Sequence, residues 1–221
     1  MKVLELFAGS CSFSNVAATY GFETFTVDNG LDLKTFDHYA KIDLVKDILK
    51  LDTDEIPFIP DIIWASPPCT TFSIASCGHH WNAPDKSGKR IPKTEAAEIG
   101  LLLLEKTIWL INELQPKYYF IENPRGLMRK MLIMQPLPRY TVSYCQYGDT
   151  RMKPTDIWTN LKFNPRMCKN GASCHEAAPR GSRTGTQGLK NNYERSKIPE
   201  QLCDTLYSLC FWDGIGELVS R

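Results

Sequence analysis

The stretch VLELFAGS, residues 3–10, decides the fold, because it joins a buried strand to a turn that opens a helix. Residues 3–7 form an apolar run that predicts a strand, and the small residues 8–10 end it. Residues 12–20 then predict a short helix. A strand, a tight turn and a helix in this order predict the first unit of a parallel α/β sheet.

The same alternation continues through the first 121 residues. Further elements are predicted as strands at 23–27, 41–43, 61–65 and 118–121, a helix at 94–114, a closing pair of strands at 140–146 and 156–158, and a final helix at 199–209. We therefore predict an α/β fold with an open, doubly wound, mostly parallel sheet and helices on both faces. In such sheets ligands bind at the C-terminal ends of the strands.

Composition and charge narrow the class of protein. Of the 221 residues, 43% are hydrophobic and 23% are charged, which suits a globular chain with a sizeable core. No uninterrupted apolar stretch approaches the ~20 residues of a membrane-spanning helix. The chain enters its first strand directly, so we expect a cytoplasmic protein that does not bind membranes.

The net charge of +1 hides an asymmetry along the chain. Residues 1–65 carry eleven acidic and five basic residues, whereas residues 151–200 carry ten Lys or Arg and four acidic residues. This distribution favours two different ligands, with a chance fluctuation as the alternative.

The first turn is a candidate cofactor site although it holds a single glycine, Gly9. It matches neither the Gly-x-Gly-x-x-Gly pattern of dinucleotide folds nor a phosphate loop, which carries a lysine. One glycine still lets a ligand approach the backbone at the start of a helix. Asp28, at the end of the second strand, is placed to bond a ribose diol. Together they predict S-adenosylmethionine, a nucleoside cofactor without pyrophosphate; a plain strand–turn–helix with a capping aspartate is the alternative.

The stretch Ser66-Pro67-Pro68-Cys69 is a candidate catalytic turn. Two successive prolines fix φ and remove two backbone donors, so they form a stiff turn that presents the next side chain. A cysteine presented to a cleft in this way is a candidate nucleophile, and a buried structural cysteine is the alternative. Glu122 ends the neighbouring strand, and we expect it to face the same cleft and hydrogen-bond the electrophile.

With these residues in view, the sequence resembles the C5-cytosine-specific DNA methyltransferase family. Five segments resemble its motifs: the first cofactor motif at 4–9, the Asp-Ile pair that reaches the cofactor adenine at 47–48, the catalytic Pro-Cys loop at 67–73, the Glu-Asn motif at 122–124 and the final motif at 192–202. These ordered matches span nearly the whole chain. Relatives that methylate amino groups carry an aromatic residue after Pro-Pro, so Cys69 indicates methylation of carbon.

The resemblance implies a Rossmann-like, S-adenosylmethionine-dependent fold that methylates C5 of cytosine in DNA. Cys69 would add to C6, Glu122 would hydrogen-bond or protonate N3, and the base would be flipped out of the duplex or taken from a single strand. The chemistry calls for a lowered Cys69 pKa, from a nearby positive end or arginine. The implied cofactor-binding residues are Phe7, Ala8, Gly9, Ser10, Asp28, Asn29, Asp47, Ile48 and Pro67, and the implied substrate-binding residues are Pro68, Ser73, Asn123, Arg151, Lys153, Arg180 and Arg183.

Two departures from the family pattern concern the substrate side. The family has Gln-x-Arg-x-Arg after a Tyr-Gly pair, whereas this chain has Arg-Met-Lys-Pro-Thr at residues 151–155. The family's large target-recognition domain is reduced to a small basic segment at 157–195, between a catalytic and cofactor-binding domain at 1–156 and a C-terminal helix at 196–221. We therefore expect short or relaxed sequence recognition, or recognition supplied by a partner protein. The alternatives are the same chemistry on RNA or a free nucleotide, and a degenerate DNA-binding accessory protein.

Two loops are candidates for phosphate contact. The long polar loop at 73–93 carries four basic residues, Lys86, Lys89, Arg90 and Lys93, and we expect it to close over a flipped base. The second loop lies within the segment at 157–195, and its basic residues Arg180, Arg183 and Lys190 stand among glycines. These residues are interpreted either as a surface that contacts phosphates or as a solvated basic surface, and both interpretations stay open.

One cysteine cluster belongs to none of these motifs. Cys168, Cys174 and His175 could bind zinc with a fourth ligand from Cys145, Cys203 or elsewhere, but their spacing is not that of a standard finger. Free thiols in a glycine-rich loop are the interpretation that the sequence favours, and a zinc site is the alternative.

Overall fold

A seven-stranded sheet forms the centre of the computed structural model, which describes residues 1–31, 42–176 and 192–219. Its strands are β1 Lys2–Leu6, β2 Glu23–Asp28, β3 Leu44–Val45, β4 Ile62–Ala65, β5 Tyr118–Pro124, β6 Arg139–Ser143 and β7 Pro154–Thr159. The strand order is β3-β2-β1-β4-β5-β7-β6. The first five strands are parallel, whereas β7 is antiparallel to both β5 and β6. The predicted α/β fold with a mostly parallel sheet is confirmed.

The helices of the described residues are α1 Ser12–Thr19, α2 Cys77–His80, α3 Glu95–Leu114, α4 Asn192–Ser196 and α5 Glu200–Val219. Thr94 precedes α3, and its Oγ1 accepts a hydrogen bond from Ala97 N at 3.3 Å. This N-cap satisfies one of the free amides at the start of the helix. Among these helices, none combines the length and the apolar character needed to cross a membrane.

Alternate side chains of the central strands pack into two hydrophobic clusters on opposite faces of the sheet. Ile63 of β4 belongs to the cluster that contains Leu104 of α3. Its neighbour Trp64 belongs to the other cluster, where it stacks on Phe13 of α1 with the ring centres 4.3 Å apart. Phe13 lies equally close to Tyr207 of α5. The two clusters cover both faces of the sheet, so the ends of its strands are the parts that can carry a binding site.

The third strand lies at Leu44–Val45, so the strand predicted at 41–43 is wrong at 42–43, and residue 41 lies outside the described residues. The carboxylate of Asp43 accepts hydrogen bonds from the amide and the hydroxyl of Thr26, at 3.0 Å and 2.8 Å. The Asp43 amide donates to the same hydroxyl at 2.9 Å. These side-chain bonds replace a backbone ladder beside Thr26, and ladder pairing begins only at Leu44, opposite Val27.

Three other elements differ in their bounds from the prediction. The loop at 73–93 contains α2 and a β-bridge between Trp81 and Pro92. The strand predicted at 140–146 ends at Ser143 and continues as a 3₁₀ turn, Tyr144–Tyr147. The last helix extends to Val219. β7 runs across the expected boundary between residues 156 and 157. The division into domains stays a prediction.

Candidate active site

The C-terminal ends of β2, β1, β4 and β5 lie along one edge of the sheet, because these strands are parallel neighbours. Leu6 lies beside Val27 on one side and Ala65 on the other, and Ala65 lies beside Ile121. The predicted cofactor turn, the predicted catalytic turn and Glu122 follow these residues. The sheet thus brings the candidate residues of the four strand ends to one edge.

Asp28 fastens the predicted cofactor turn to the end of β2. Its Oδ2 accepts from Gly9 N at 3.1 Å, and its Oδ1 accepts from Gly30 N at 2.8 Å. Phe7 and Cys11 have φ angles of 59° and 47°, in the left-handed region that few side chains adopt. The turn therefore bends sharply at both ends before α1 begins.

The rest of this turn is held by its neighbours. Ala8 is buried, and its amide donates to a carbonyl of β2 at 3.1 Å. Ser10 Oγ lies 2.8 Å from Ser12 Oγ, which in turn accepts from Ile198 N at 3.2 Å. The segment that resembles the final motif of the family therefore returns to the first turn.

Glu5 is a buried carboxyl group beneath this turn, and the sequence analysis did not single it out. Its Oε2 accepts from Ser14 N at 2.7 Å and its Oε1 accepts from Phe13 N at 3.4 Å, so it caps α1 from the inside. Desolvation by burial raises the pKa of Glu5 to about 7, against the lowering effect of these hydrogen bonds. The one signal in the sequence is an acidic residue within an apolar strand.

The predicted adenine and ribose contacts lie beside the end of β2. Asp47 is exposed, and its Oδ1 accepts from Leu49 N at 3.0 Å. Asn29 is also exposed and accepts from Leu31 N at 3.1 Å. Ile48 is only 2% exposed and packs in the core, so its contact with a cofactor stays a prediction.

The catalytic turn leaves β4 and is tied to the end of β5. Pro67 is buried, and its carbonyl accepts from Asn123 Nδ2 at 2.8 Å. The amides of residues 72 and 73 both donate to Cys69 O at 3.0 Å, so the chain turns back directly after the thiol. Pro68 and Cys69 are exposed. The hydrogen bond from Asn123 thus couples the cysteine turn to the strand that carries Glu122.

The far side of the catalytic turn packs against the segment that follows β5. Leu127 N donates to Phe72 O at 2.7 Å. Gly126 approaches so closely that a Cβ atom there would lie 2.4 Å from Phe72 O, a distance that real Cβ atoms do not reach. On another side, Trp81 Nε1 donates to Thr71 O at 3.0 Å. The turn is therefore fixed by backbone contacts as well as by its prolines.

Cys69 is an exposed residue, yet burial around its sulfur disfavours the charged form of the thiol. Desolvation is the largest cause and raises the pKa of the thiol; Lys153 and Arg195 lower it, and Glu122 raises it. The predicted lowering of this pKa is therefore wrong in direction. An arginine that lowers the pKa is present as predicted, namely Arg195, but Lys153, which was predicted only to bind substrate, has the larger effect.

Glu122 is buried in a small polar network. Tyr144 Oη donates to Glu122 Oε1 at 2.8 Å, and Lys153 Nζ lies 3.9 Å from the same oxygen. Lys153 also lies 4.5 Å above the Tyr144 ring and donates to Arg195 O at 3.1 Å. Desolvation lowers the pKa of Lys153, whereas Glu122 raises it. Tyr144 is a member of this network that was not predicted, although a buried tyrosine needs a partner for its hydroxyl.

Other predicted substrate contacts have different environments. Arg151 is 6% exposed; its Nε donates to Asp149 Oδ1 at 2.8 Å and its Nη1 to Glu194 O at 3.2 Å. Its side chain therefore joins two segments of the protein, which does not favour the predicted substrate contact. Ser73 Oγ lies 2.7 Å from Ser76 Oγ. Three further basic residues lie outside the described residues, namely Arg180, Arg183 and Lys190.

The loop at 73–93 offers two kinds of basic side chain. Lys86 and Lys89 are exposed. Arg90 Nη1 donates to Asn82 O at 3.1 Å, and Lys93 Nζ donates to a backbone carbonyl of α2 at 2.6 Å. The first pair is therefore better placed than the second for the predicted phosphate contacts.

The cysteine cluster is brought together by the fold. Cys168, Cys174 and His175 meet Cys145, and the four ligand atoms all lie within 4.8 Å of one another. Of the two fourth ligands named from the sequence, Cys145 is the one that joins them. Cys203 is fully buried in the hydrophobic cluster beside α5.

A cavity of about 790 Å³ lies between the turn at 147–151 and the start of α5, where Arg151, Lys197 and Glu200 contribute to its wall. Its lining includes none of the predicted cofactor-binding residues. This cavity is therefore separate from the strand ends that carry Gly9 and Asp28.

The sheet order places antiparallel β7 between β5 and β6 at one edge of an otherwise parallel sheet. The sequence matches the family model of the C-5 cytosine-specific DNA methylase over residues 1–132. It is also 31% identical over 227 residues to the "Probable DNA (cytosine-5)-methyltransferase" of frog virus 3 (isolate Goorha), an alignment that covers 95% of this chain and 100% of that protein. The chain therefore belongs to the C-5 cytosine-specific DNA methylase family.

Two further proteins match this chain over only part of their own length. The chain is 29% identical over 154 residues to the orphan methyltransferase M.SPBetaI of Bacillus phage SPbeta, which covers 58% of this chain and 34% of that one. The crystal structure of a candidate DNA modification methyltransferase encoded within an E. coli prophage has a TM-score of 0.50 and 18% identity, over 76% of this chain and 52% of that chain. The predicted family and enzyme class are confirmed, and membership implies use of S-adenosylmethionine.

Proposed function

We propose that this chain transfers a methyl group from S-adenosylmethionine to C5 of cytosine in DNA through a covalent bond between Cys69 and C6. The observation that carries the proposal is the hydrogen bond from Asn123 to the carbonyl of Pro67. It couples the turn of the exposed Cys69 to the strand end of the buried Glu122. Membership of the family supports the choice of DNA and of C5.

The residues at the ends of β1 and β2 fit the methyl donor. Each oxygen of the Asp28 carboxylate accepts one backbone amide and keeps capacity for a ribose hydroxyl. Gly9 leaves the backbone open before α1. The exposed Asp47 follows Lys46, whose amide donates to Asp28 O at 2.8 Å, so Asp47 lies near Asp28 and can contact the adenine side. When bound there, S-adenosylmethionine supplies an electrophilic methyl group.

The chain's own groups account for the activation of cytosine. The Cys69 thiolate adds to C6, and the electrons of the C5–C6 double bond move into the ring, so that C5 becomes nucleophilic. Glu122 stabilises this state by a hydrogen bond or proton at N3. After C5 has taken the methyl group, a water molecule accepts the C5 proton, the C5–C6 double bond forms again and the Cys69 thiolate is expelled, while any proton given to N3 returns to Glu122. One hydrogen of cytosine is thus replaced by methyl, and the thiolate is regenerated.

Lys153 and Tyr144 support these two groups. Lys153 stands where the first arginine of the family's Gln-x-Arg-x-Arg pattern is expected, and its charge favours the Cys69 thiolate against desolvation. Tyr144 donates to one oxygen of Glu122 and so orients the carboxyl group. A lysine can therefore provide the positive charge that the altered pattern would otherwise lack.

The substrate side is proposed from charge and size. Lys86 and Lys89 of the loop at 73–93 contact phosphates as the base leaves the duplex. The segment at 157–195 provides short or relaxed recognition, and a partner protein supplies sequence selection where more is needed. The chain acts in the cytoplasm, on nucleoid DNA.

Trapping with DNA that contains 5-fluorocytosine tests the mechanism, because fluorine cannot leave C5 as a proton does. We expect a covalent complex at Cys69 with the wild-type protein and with Cys77→Ser, a matched control. Cys69→Ser should give none, since a hydroxyl stays protonated near pH 7. Glu122→Gln should react ~10²–10⁴-fold more slowly. An adduct that maps to another thiol, or full methylation by Cys69→Ser, would show that the proposed mechanism is wrong.

The substrate and donor sites are tested separately. Labelled S-adenosylmethionine is offered with DNA, RNA and dCTP in parallel, and we expect methylation of DNA. Preferred methylation of RNA or dCTP would favour the other substrates, and no turnover on any would favour an accessory protein. By calorimetry, Asp28→Ala with Asp47→Ala should weaken donor binding, whereas the exposed Asp54→Ala should not. Unchanged affinity in the double variant would remove these two aspartates from the donor site.

A further inference from the structure

Four metal-ligating side chains meet in a part of the structure that the proposed reaction does not use. Cys168 Sγ lies 3.3 Å from Cys174 Sγ, and Cys174 Sγ lies 3.8 Å from Cys145 Sγ. His175 Nδ1 lies 3.6 Å from the sulfur atoms of both Cys168 and Cys174. All four ligand atoms lie within 4.8 Å of one another.

Three of these four separations match the edges of a zinc-centred tetrahedron. With Zn–S bonds of about 2.3 Å and a Zn–N bond of about 2.0–2.1 Å, two sulfurs are ~3.8 Å apart and a sulfur and a nitrogen ~3.6 Å apart. Three of the four distances agree with these values, and the distance between Cys168 and Cys174 is shorter by about half an ångström. A disulfide requires ~2.05 Å, so those two cysteines are not bonded.

Burial does not explain the convergence. Cys203 and Cys210 are fully buried among apolar side chains, as structural thiols usually are. Cys174 is exposed and Cys168 is partly exposed, so they gain little by packing together. Only Cys145 of the three cysteines is buried, and three thiols with an imidazole are a donor set that Zn²⁺ prefers.

The backbone holds the ligands in place from two separate segments. Cys145 lies in the 3₁₀ turn after β6. Cys168 N donates to Ser143 Oγ at 3.0 Å, at the end of the same strand. Gly171, with φ at 85°, then turns the chain back so that Cys174 returns to Cys168. Glu176 N donates to Thr150 O at 2.9 Å and fixes the end of the loop.

We infer that Cys145, Cys168, Cys174 and His175 form a structural zinc site of the Cys₃His type. Four protein ligands leave no open position for water or substrate, which is typical of structural rather than catalytic zinc. Binding releases the three thiol protons and leaves a complex with a net charge of −1. The ion would link residues 168–175 of the segment at 157–195 to the turn that carries Tyr144. Tyr144 is the hydrogen-bond partner of Glu122.

Metal analysis of the full chain, purified without chelator and with zinc supplied during expression, tests the inference. We expect one zinc ion per chain. X-ray absorption at the zinc edge should show three sulfur ligands at about 2.3 Å and one nitrogen at about 2.0–2.1 Å. Cys168→Ser should weaken zinc binding by more than ~100-fold, because loss of a ligand exceeds the 10–100-fold effect of an outer partner. Cys77→Ser, a cysteine in α2 outside the cluster, should bind as the wild type does.

Several outcomes would overturn the site. These are a wild-type chain that stays free of zinc when titrated with the ion, a zinc shell built from oxygen, or unchanged binding by Cys168→Ser. A disulfide between Cys168 and Cys174 in the purified protein would do the same. If Cys168→Ser fails to fold, the absorption spectrum of the wild-type protein still decides. Trapping at Cys69 is measured independently, so failure of the zinc site leaves the proposed reaction standing.

Discussion

Replacement of Lys153 by methionine tests the source of the positive charge at Cys69. Methionine keeps an unbranched stem of similar length and removes the charge. Because Lys153 lowers the pKa of Cys69 against the larger effect of desolvation, its loss should raise that pKa further. At pH values well below the pKa, each added unit reduces the thiolate fraction tenfold.

Lys153 Nζ also lies 3.9 Å from Glu122 Oε1, where two unit charges interact by about 4 kcal/mol at an effective dielectric constant of ~20. Loss of Lys153 therefore removes a charge that lowers the Cys69 pKa and leaves the raising effect of Glu122 in place. We expect the reactivity profile of Cys69 to move to higher pH, so that alkylation near pH 7 is slower than in the wild type.

Alkylation by iodoacetamide in the absence of DNA measures the thiolate directly. The rate at Cys69 is followed by mass spectrometry across a pH series for the wild type, Lys153→Met and Lys153→Arg. We expect the methionine variant to shift to higher pH and the arginine variant, which keeps the charge, to stay near the wild type. If the methionine variant folds and its profile coincides with that of the wild type, Lys153 does not support the thiolate.

Three other substitutions test separate parts of the structure. Glu5 has a folded pKa of about 7 against an ordinary 4.5, so its contribution to stability is present below pH 4.5 and is lost as pH rises towards 7, by up to about 3 kcal/mol. In urea unfolding at several pH values, Glu5→Gln should lack this loss, and an identical pH dependence in both proteins would contradict the assignment. Asn123→Ala should cost about 1–3 kcal/mol and slow trapping at Cys69, because it leaves the buried carbonyl of Pro67 unpaired. Asn160→Ala, which removes two exposed hydrogen bonds, should cost less because water can replace them, and equal effects would argue against a coupling role for Asn123. DNA affinity should fall steeply with salt, and Lys86→Ala should reduce the slope of log K against log salt by about 1; a flat salt response would exclude phosphate contacts.

The strand ends could be predicted from the sequence because apolar runs and turn residues are local signals. The runs at 3–7 and 61–65 end in small residues or prolines, and both are followed by the turns that the structure shows. The third strand was misplaced because Asp43 uses its side chain to bond Thr26, a contact between residues 17 positions apart. No local pattern reveals such a contact before the fold is known.

The environment of the candidate site was less accessible than its residues. Cys69 and Glu122 could be predicted because each stands at a strand end or after a proline turn. Desolvation of the Cys69 thiol, however, depends on segments distant in sequence. Arg151 and Lys153 are two residues apart, and both are basic. In the structure Arg151 donates a hydrogen bond to Asp149, whereas Lys153 contacts Glu122 and Tyr144. The role of each therefore depended on partners that spacing does not specify.

The close approach of Gly126 to the carbonyl of Phe72 has a consequence for how this chain tolerates mutation. A side chain of any size at position 126 would displace the turn that carries Cys69, although Gly126 itself is not among the candidate catalytic or binding residues. In a saturation library selected for methylation, position 126 should therefore be as intolerant as Cys69. The same library screened only for soluble expression should accept substitutions at Cys69, which is exposed, but not at Gly126. Comparison of the two selections would separate residues that perform the chemistry from a residue that provides the space for it.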